Sequence, residues 1–276
     1  MPNYARPSRL DAALKLLSGG KASVLAGGTD WYPARLGRPL TEDVVDLGGI
    51  DALRGITELG DHWRIGATTT WTDLIDARLP AMFDALKLAA REVGGEQVQN
   101  AGTLAGNLCN ASPAADGTPA LLALDASVEL AGSSGTRRLS LPRFLLGPRK
   151  TALAPGELLT AILVPKPGHP ARSHFIKLGA RKYLLISIAM AAAIVETRKG
   201  SITAARIAIG SCSPVAVRLP ALETALAGRA MNASIANAVK PEHLAALNPI
   251  ADVRASAEYR REAALELVKR VLRELA

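Results

Sequence analysis

Apolar positions change their spacing several times along the chain, and each change predicts an element. Leu10, Ala13, Leu14 and Leu17 recur at helical spacing behind Pro7-Ser8, which predicts a short amphipathic helix closed by Gly19-Gly20. Ser23–Ala26 and Val44–Leu47 are brief apolar runs, each stopped by two glycines, and predict strands. His62–Ala67 predicts another strand, Thr72–Leu79 a helix halted before Pro80, and Ala81–Ala90 a second helix. Gly94–Asn110, rich in Gly, Asn and Gln, reads as a long ordered loop with short strands. Pro119–Leu124 reads as a buried helical turn or short helix. Ser127–Ala131 and Thr136–Ser140 predict paired strands around a four-residue turn, Gly132-Ser133-Ser134-Gly135.

Pro165–Pro170 (P-K-P-G-H-P) is the clearest linker. Beyond it His174–Lys177 is strand-like, and Ile186–Glu196 fits a strand or a helix equally well. Ser201–Ser211 alternates as a strand does. Pro220–Ala227 and Ser256–Leu275 predict helices. In the last, Leu265, Val268, Leu272 and Leu275 share one face, and Glu266 and Arg270 form an i,i+4 pair on the other. The pattern predicts α+β lobes with a boundary near 165–172.

Composition narrows this picture. With 276 residues, 49% hydrophobic and 21% charged, the chain suits two or three compact lobes and excludes global disorder. Aromatics are only 4%, so few rings can stack on bases. Lys and Arg exceed Asp and Glu by 33 − 25 = 8, which suits an anionic ligand or partner without choosing one. Two cysteines, Cys109 and Cys212, are too few for a local iron–sulfur cluster or a disulfide scaffold. The four histidines show no metal-ligand spacing, so no metal site is expected. The longest uninterrupted stretch of apolar or small residues without a charge, Tyr183–Val195, falls short of the about 20 residues a bilayer requires. The N-terminus carries charges instead of an apolar leader core. A soluble, cytoplasmic protein without a membrane span is expected.

Two segments carry candidate chemistry. In Val24–Trp31 a strand ends in two glycines, then a hydroxyl, then a carboxylate. Glycine allows positive φ and lacks Cβ, so a ligand can approach backbone amides, and successive N–H groups can form an anion nest. A tight turn with no ligand would look the same. Gly102–Pro119 is dominated by small and hydrogen-bonding residues, and Ser112-Pro113 and Thr118-Pro119 each set a capping residue before a proline. A helix N-terminus beside such a loop offers donors to a phosphate, and an ordinary capped loop would read alike. GxGxxG, P-loop and GxSxG motifs are absent. Cys109 has no partner histidine nearby and reads as a packed small thiol.

Together these segments resemble the FAD-binding (medium) subunit of the molybdenum hydroxylases, the xanthine dehydrogenase, aldehyde oxidase and carbon monoxide dehydrogenase family. AGGTDW at 26–31 resembles its A-G-G-T-D-L loop, and TLAGNLCNASPAAD at 103–116 its T-I-G-G-N-x-x-x-A-S-P-x-x-D. The likeness continues through 116–126, 144–159, 175–189 and 247–256, with Tyr259-Arg260-Arg261 behind. It implies an α+β fold: a two-lobed FAD-binding domain of the vanillyl alcohol oxidase-like type (1–54 and 55–170) plus a C-terminal α+β domain (171–276). It implies FAD held by a first loop of Val24, Leu25, Ala26, Gly27, Gly28, Thr29, Asp30 and Trp31. A second set is Thr103, Gly106, Asn107 and Asn110, flanked by Val93. Asp116 is the implied acidic contact, Leu159 packs on the flavin, Lys177 lies beside it, and Tyr183 is a further neighbour. No catalytic residue and no metal ligand are implied.

The implied partners are a large molybdopterin-containing subunit, a small [2Fe-2S] subunit and an external acceptor such as NAD, a quinone or oxygen. The implied function is electron transfer from those clusters through FAD to the acceptor. Ala105 departs from the family's usual glycine. Trp31 replaces an aliphatic residue and is expected to cover part of the cofactor. Two other functions suit the residues: a self-sufficient flavin oxidase, and a basic interaction or nucleic-acid-binding protein whose glycine loops are only turns.

Overall fold

The computed structural model describes residues 2–181 and 185–276. Near the N-terminus β1 (Tyr4–Ala5), β2 (Ser23–Leu25) and β3 (Val44–Asp46) form a parallel sheet in the order β1-β3-β2. Helix α1 (Leu10–Leu17) spans the predicted positions and buries Ala13 and Leu17 against Val45, Leu47, Ile50 and Leu53. Gly20, at φ +66°, turns the chain back toward β2.

A second, antiparallel sheet follows. Its strands are β4 (Ile56–Glu58), β5 (His62–Gly66), β6 (Ser127–Gly132), β7 (Gly135–Ser140) and β10 (Leu158–Pro165), in the order β4-β5-β10-β6-β7. The small hairpin β8 (Leu145–Gly147) and β9 (Lys150–Thr151) precedes β10. The sequence pattern does not predict β10, although it is the central strand. It is buried from Leu158 to Val164, so it shows none of the alternation that marks a half-exposed strand. Gly132 pairs with Gly135, so the β6–β7 turn is the four-residue Gly132–Gly135 with Ser133 and Ser134 at its centre.

Helices α2 (Trp71–Asp76), α3 (Asp84–Arg91), α4 (Glu96–Ala101), α5 (Leu104–Asn110), α6 (Gly117–Ala123) and α7 (Leu141–Phe144) surround this sheet. All of them except α4 contribute to a core containing Trp63, Trp71, Phe83 and Phe144. Thr70 and Asp73 form a reciprocal capping box that starts α2, which ends at Asp76 rather than Leu79. The expected loop over Gly94–Asn110 is instead the helix pair α4 and α5. Gly102, at ψ 137°, breaks the pair, and Thr103 caps the second. Glycine and asparagine content obscured two short helices whose capping signal lay inside the segment.

The third sheet is antiparallel: β11 (Ala171–Leu178), β12 (Ala189–Arg198), β13 (Ser201–Gly210) and β14 (Val217–Arg218) in that order. β12 settles the helix-or-strand ambiguity at Ile186–Glu196, because both its faces are covered. Ala191, Ala193 and Val195 pack with α8 (Pro220–Leu226) and α9 (Ala257–Leu275), whereas Met190, Ala192 and Ile194 join the core of the second sheet. In α9 the seam is Ala264, Leu267, Val268, Val271, Leu272 and Leu275, and Leu265 is only half-buried.

Ser173 on β11 ties this sheet to α3. Its buried hydroxyl accepts from the Ala85 amide at 2.8 Å and lies 2.8 Å from the Met82 carbonyl. Ser173→Ala is therefore expected to cost about 1–3 kcal/mol, read as a lowered urea midpoint.

Candidate cofactor site

Steric contacts explain the glycines of the first loop. A Cβ on Gly27 would stand 1.9 Å from the Ala101 carbonyl oxygen and 2.9 Å from Gly102 Cα. One on Gly102 would stand 2.8 Å from the Val98 carbonyl oxygen and 3.3 Å from Thr29 Oγ1. The two glycine-containing segments therefore lie backbone against backbone. Gly28 adopts φ +74°, where glycine is favoured. The Gly28 and Asp30 carbonyls accept from the Tyr32 and Ala34 amides at 3.0 and 3.2 Å. Among the described residues the amides of Gly28, Thr29 and Asp30 find no acceptor.

The second segment is ordered by Thr103, whose Oγ1 accepts from the Gly106 amide at 3.0 Å. Leu104 and Leu108 of α5 turn into the core, whereas the buried Ala105 together with Gly106, Asn107 and Asn110 lines a cleft. Asn107 Oδ1 is buried without a hydrogen-bond partner among the described residues. The Asn110 side chain is held by the Arg149 guanidinium.

Between the segments opens a cleft of about 510 Å³, within the usual size of small-molecule sites. Val24, Ala26, Gly27, Gly28, Thr29, Asp30 and Trp31 line it, with Val93, Thr103, Gly106, Asn107, Asn110 and Leu159. Leu25 is buried and outside that lining. Asp116 and Lys177 are also outside it, and Tyr183 lies outside the described residues. The lining adds residues that the sequence reading did not single out as contacts, among them Arg35, Trp71, Val98, Cys109 and Leu158. Trp71 and Leu158 could have been sought beside the Thr70 cap and in the GELL run at 156–159. Arg35 carried no signal.

Trp31 is fixed in the wall. Its indole N–H donates to Ser23 Oγ at 2.8 Å, and the Arg35 guanidinium lies 4.0 Å over its ring. Burial pushes the Cys109 thiol up to about 12, so it stays protonated near neutral pH and is a poor nucleophile.

Behind the cleft sits a buried ion pair. Lys177 Nζ donates to Asp116 Oδ2 at 2.9 Å and to the Glu92 carbonyl at 3.2 Å, next to Val93. Ser187 Oγ donates to Asp116 Oδ1 at 2.8 Å. Burial raises the Asp116 carboxyl above its ordinary value, and the Lys177 charge opposes that rise.

The cleft suits FAD on these observations: free amides for a diphosphate, an unpartnered buried oxygen for a donor, and apolar walls at Val98, Leu158 and Leu159. Among the described residues there is no cluster of three or more His, Cys, Asp or Glu arranged for a metal, and no helix long and apolar enough to cross a membrane.

Similarity to known proteins defines the class. Residues 1–167 match the family described as the FAD binding domain in molybdopterin dehydrogenase, and 174–275 match the CO dehydrogenase flavoprotein C-terminal domain. The chain is 32% identical to the carbon monoxide dehydrogenase medium chain of Hydrogenophaga pseudoflava, over 98% of this chain and 95% of that one. It is 31% identical to the nicotine 6-hydroxylase medium subunit of Paenarthrobacter nicotinovorans, over 98% and 95% respectively. A crystal structure of Cu,Mo-CO dehydrogenase superposes with a TM-score of 0.89 at 30% identity, covering 100% of this chain and 98% of that one. The chain belongs to the family of FAD-binding medium subunits of molybdenum hydroxylases. It is an FAD-containing oxidoreductase subunit with an α+β fold.

Proposed function

We propose that this chain is the electron-transfer member of a cytoplasmic molybdenum hydroxylase complex. In this reading it receives electrons from the [2Fe-2S] clusters of a small subunit and passes them to an external acceptor, with substrate hydroxylated on a large molybdopterin-containing subunit. The observation that carries the reading is the cleft itself, where free backbone amides and the unpartnered Asn107 Oδ1 face apolar walls. When bound, FAD supplies the electron store that links one-electron donors to the acceptor.

The work left to the protein is binding and orientation. Gly28, Thr29 and Asp30 offer amides to the diphosphate, and Thr103 holds the start of α5 in place. Val24, Leu159 and the pinned Trp31 supply apolar surface and exclude water. Leu25 supports the first loop from the buried side, and Asp116 sets the Lys177 ammonium behind Glu92 and Val93. Tyr183 is proposed as a further neighbour from the resemblance alone. Among the residues lining the cleft no nucleophile–base pair stands out, which suits a relay more than a self-sufficient oxidase. The proposed division is 1–54 and 55–170 for the two cofactor lobes and 171–276 for the C-terminal domain; the separate first and third sheets support it.

The purified chain is expected to show flavin absorption bands and to release about one FAD per chain on denaturation. A colourless chain that neither releases nor takes up FAD would overturn the reading. Oxidation of a substrate by the isolated yellow chain would overturn the relay and favour an oxidase.

A further inference from the structure

Arg260 sits in the first turn of α9, only 3% exposed. Its guanidinium donates to Asp252 Oδ1 at 2.7 Å, to the Ser211 carbonyl at 3.1 Å and to the Ile188 carbonyl. Burying the arginine while Asp252 stays partly exposed is a costly choice for stability alone, since a charge taken out of water must be compensated by its partners. What this arginine does hold is a position. The Ile188 amide donates to the Leu178 carbonyl at 2.8 Å, so both polar backbone atoms of Ile188 are fixed. Ser187, its neighbour, is 1% exposed and donates to Asp116 Oδ1. Asp116 uses its other oxygen for Lys177, and Lys177 reaches the Glu92 carbonyl beside cleft-lining Val93. Each carboxylate oxygen of Asp116 therefore has its own donor, and one of the two depends on where Ile188 is held.

We propose that Arg260 is a positioning residue for the cofactor site: it clamps the Ile188 carbonyl, and thereby Ser187, so that Asp116 and Lys177 keep one orientation behind the cleft wall. The clamp works through hydrogen bonds along a single path, Arg260 to Ile188, Ser187 to Asp116, Asp116 to Lys177, Lys177 to Glu92. It rests on the FAD reading given above.

The test is a double-mutant cycle on FAD affinity. Deflavinated full-length chain is titrated with FAD, following flavin fluorescence and the shape of the visible bands, for the wild type, Arg260→Lys, Ser187→Ala and the pair. Each single change is expected to weaken FAD binding roughly tenfold, in the range of coupling through packed networks, and to shift the bands. The pair should be no weaker than the worse single variant, because both lie on one path. Unchanged affinity and bands in Arg260→Lys, or strictly additive losses, would overturn the clamp. Asp252→Asn guards against a merely structural effect. It removes the ion pair but leaves both carbonyl contacts, so it should lower stability while FAD affinity holds. Tenfold weaker FAD binding in Asp252→Asn would also overturn the carbonyl route. If the wild type fails to bind FAD, the cofactor reading falls and the clamp with it. If the wild type binds and Arg260→Lys binds equally, only the clamp falls.

Discussion

Gly27→Ala is expected to remove FAD from the purified protein and to destabilise the fold by about 3 kcal/mol, the upper range for overpacking. The added Cβ would meet the Ala101 carbonyl oxygen at 1.9 Å, with Gly102 Cα at 2.9 Å. Backbone lies on the far side, so no side chain can swing away. Either the first loop lifts off the α4–α5 junction or the junction shifts, and both open the cleft. Gly19→Ala is the matched control. Nothing lies within 4 Å of its Cβ, and its φ is not positive. It should leave the urea midpoint and the flavin content unchanged or slightly raised. Equal flavin content in Gly27→Ala and wild type would show that the loops can separate without loss of the site.

Lys177→Ala is expected to cost about 3–5 kcal/mol, because it leaves Asp116 buried without its cation. It should also lower flavin occupancy. The pH dependence identifies the cause. Burial already raises the folded Asp116 carboxyl above its ordinary value, and Lys177 is the charge that opposes the rise. Removing that charge raises it further. A carboxyl whose folded pKa exceeds its unfolded one contributes stability that is fully present below the unfolded value, and loses it as pH rises through the folded value. Urea unfolding of the variant should therefore show greatest relative stability in acid and a growing deficit against wild type toward neutral pH. A deficit that stays flat across that range would place the cost elsewhere.

Much of the site could be read from the chain because close approach leaves a mark in residue type. Gly27, Gly28 and Gly102 are glycines for steric reasons, and those reasons belong to the packing of the two segments on each other as much as to a ligand. Asn107 and Thr103 were legible as polar residues in an otherwise small-residue run. The Asp116–Lys177 pair, 61 residues apart, was reached only through family resemblance, since no local spacing joins them. In the fold, α1 and α9 announced themselves by one-sided periodicity, and β3 by a short apolar run stopped at two glycines. β10 and β12 did not, because burial on both faces removes the polar half of the pattern. The helices α4 and α5, of six and seven residues, are too short for a stripe to emerge from their Gly, Asn and Gln content.

The place of β10 in the second sheet has a consequence for how the protein is made. Arg64 on β5 reaches the Thr160 carbonyl on β10 across 96 residues of sequence. β4 and β5 emerge early during synthesis, yet the central neighbour of β5 arrives only after β6, β7 and the β8–β9 hairpin. Such long-range pairing closes a large loop before any contact rewards it, so folding of this unit is slow and late. Leu158 and Leu159, which wall the cleft, come with that same strand. A ribosome-bound fragment ending before residue 158 lacks the strand that pairs with β5 and the two leucines of the cleft wall, so it leaves that β5 edge unpaired and is expected not to retain FAD.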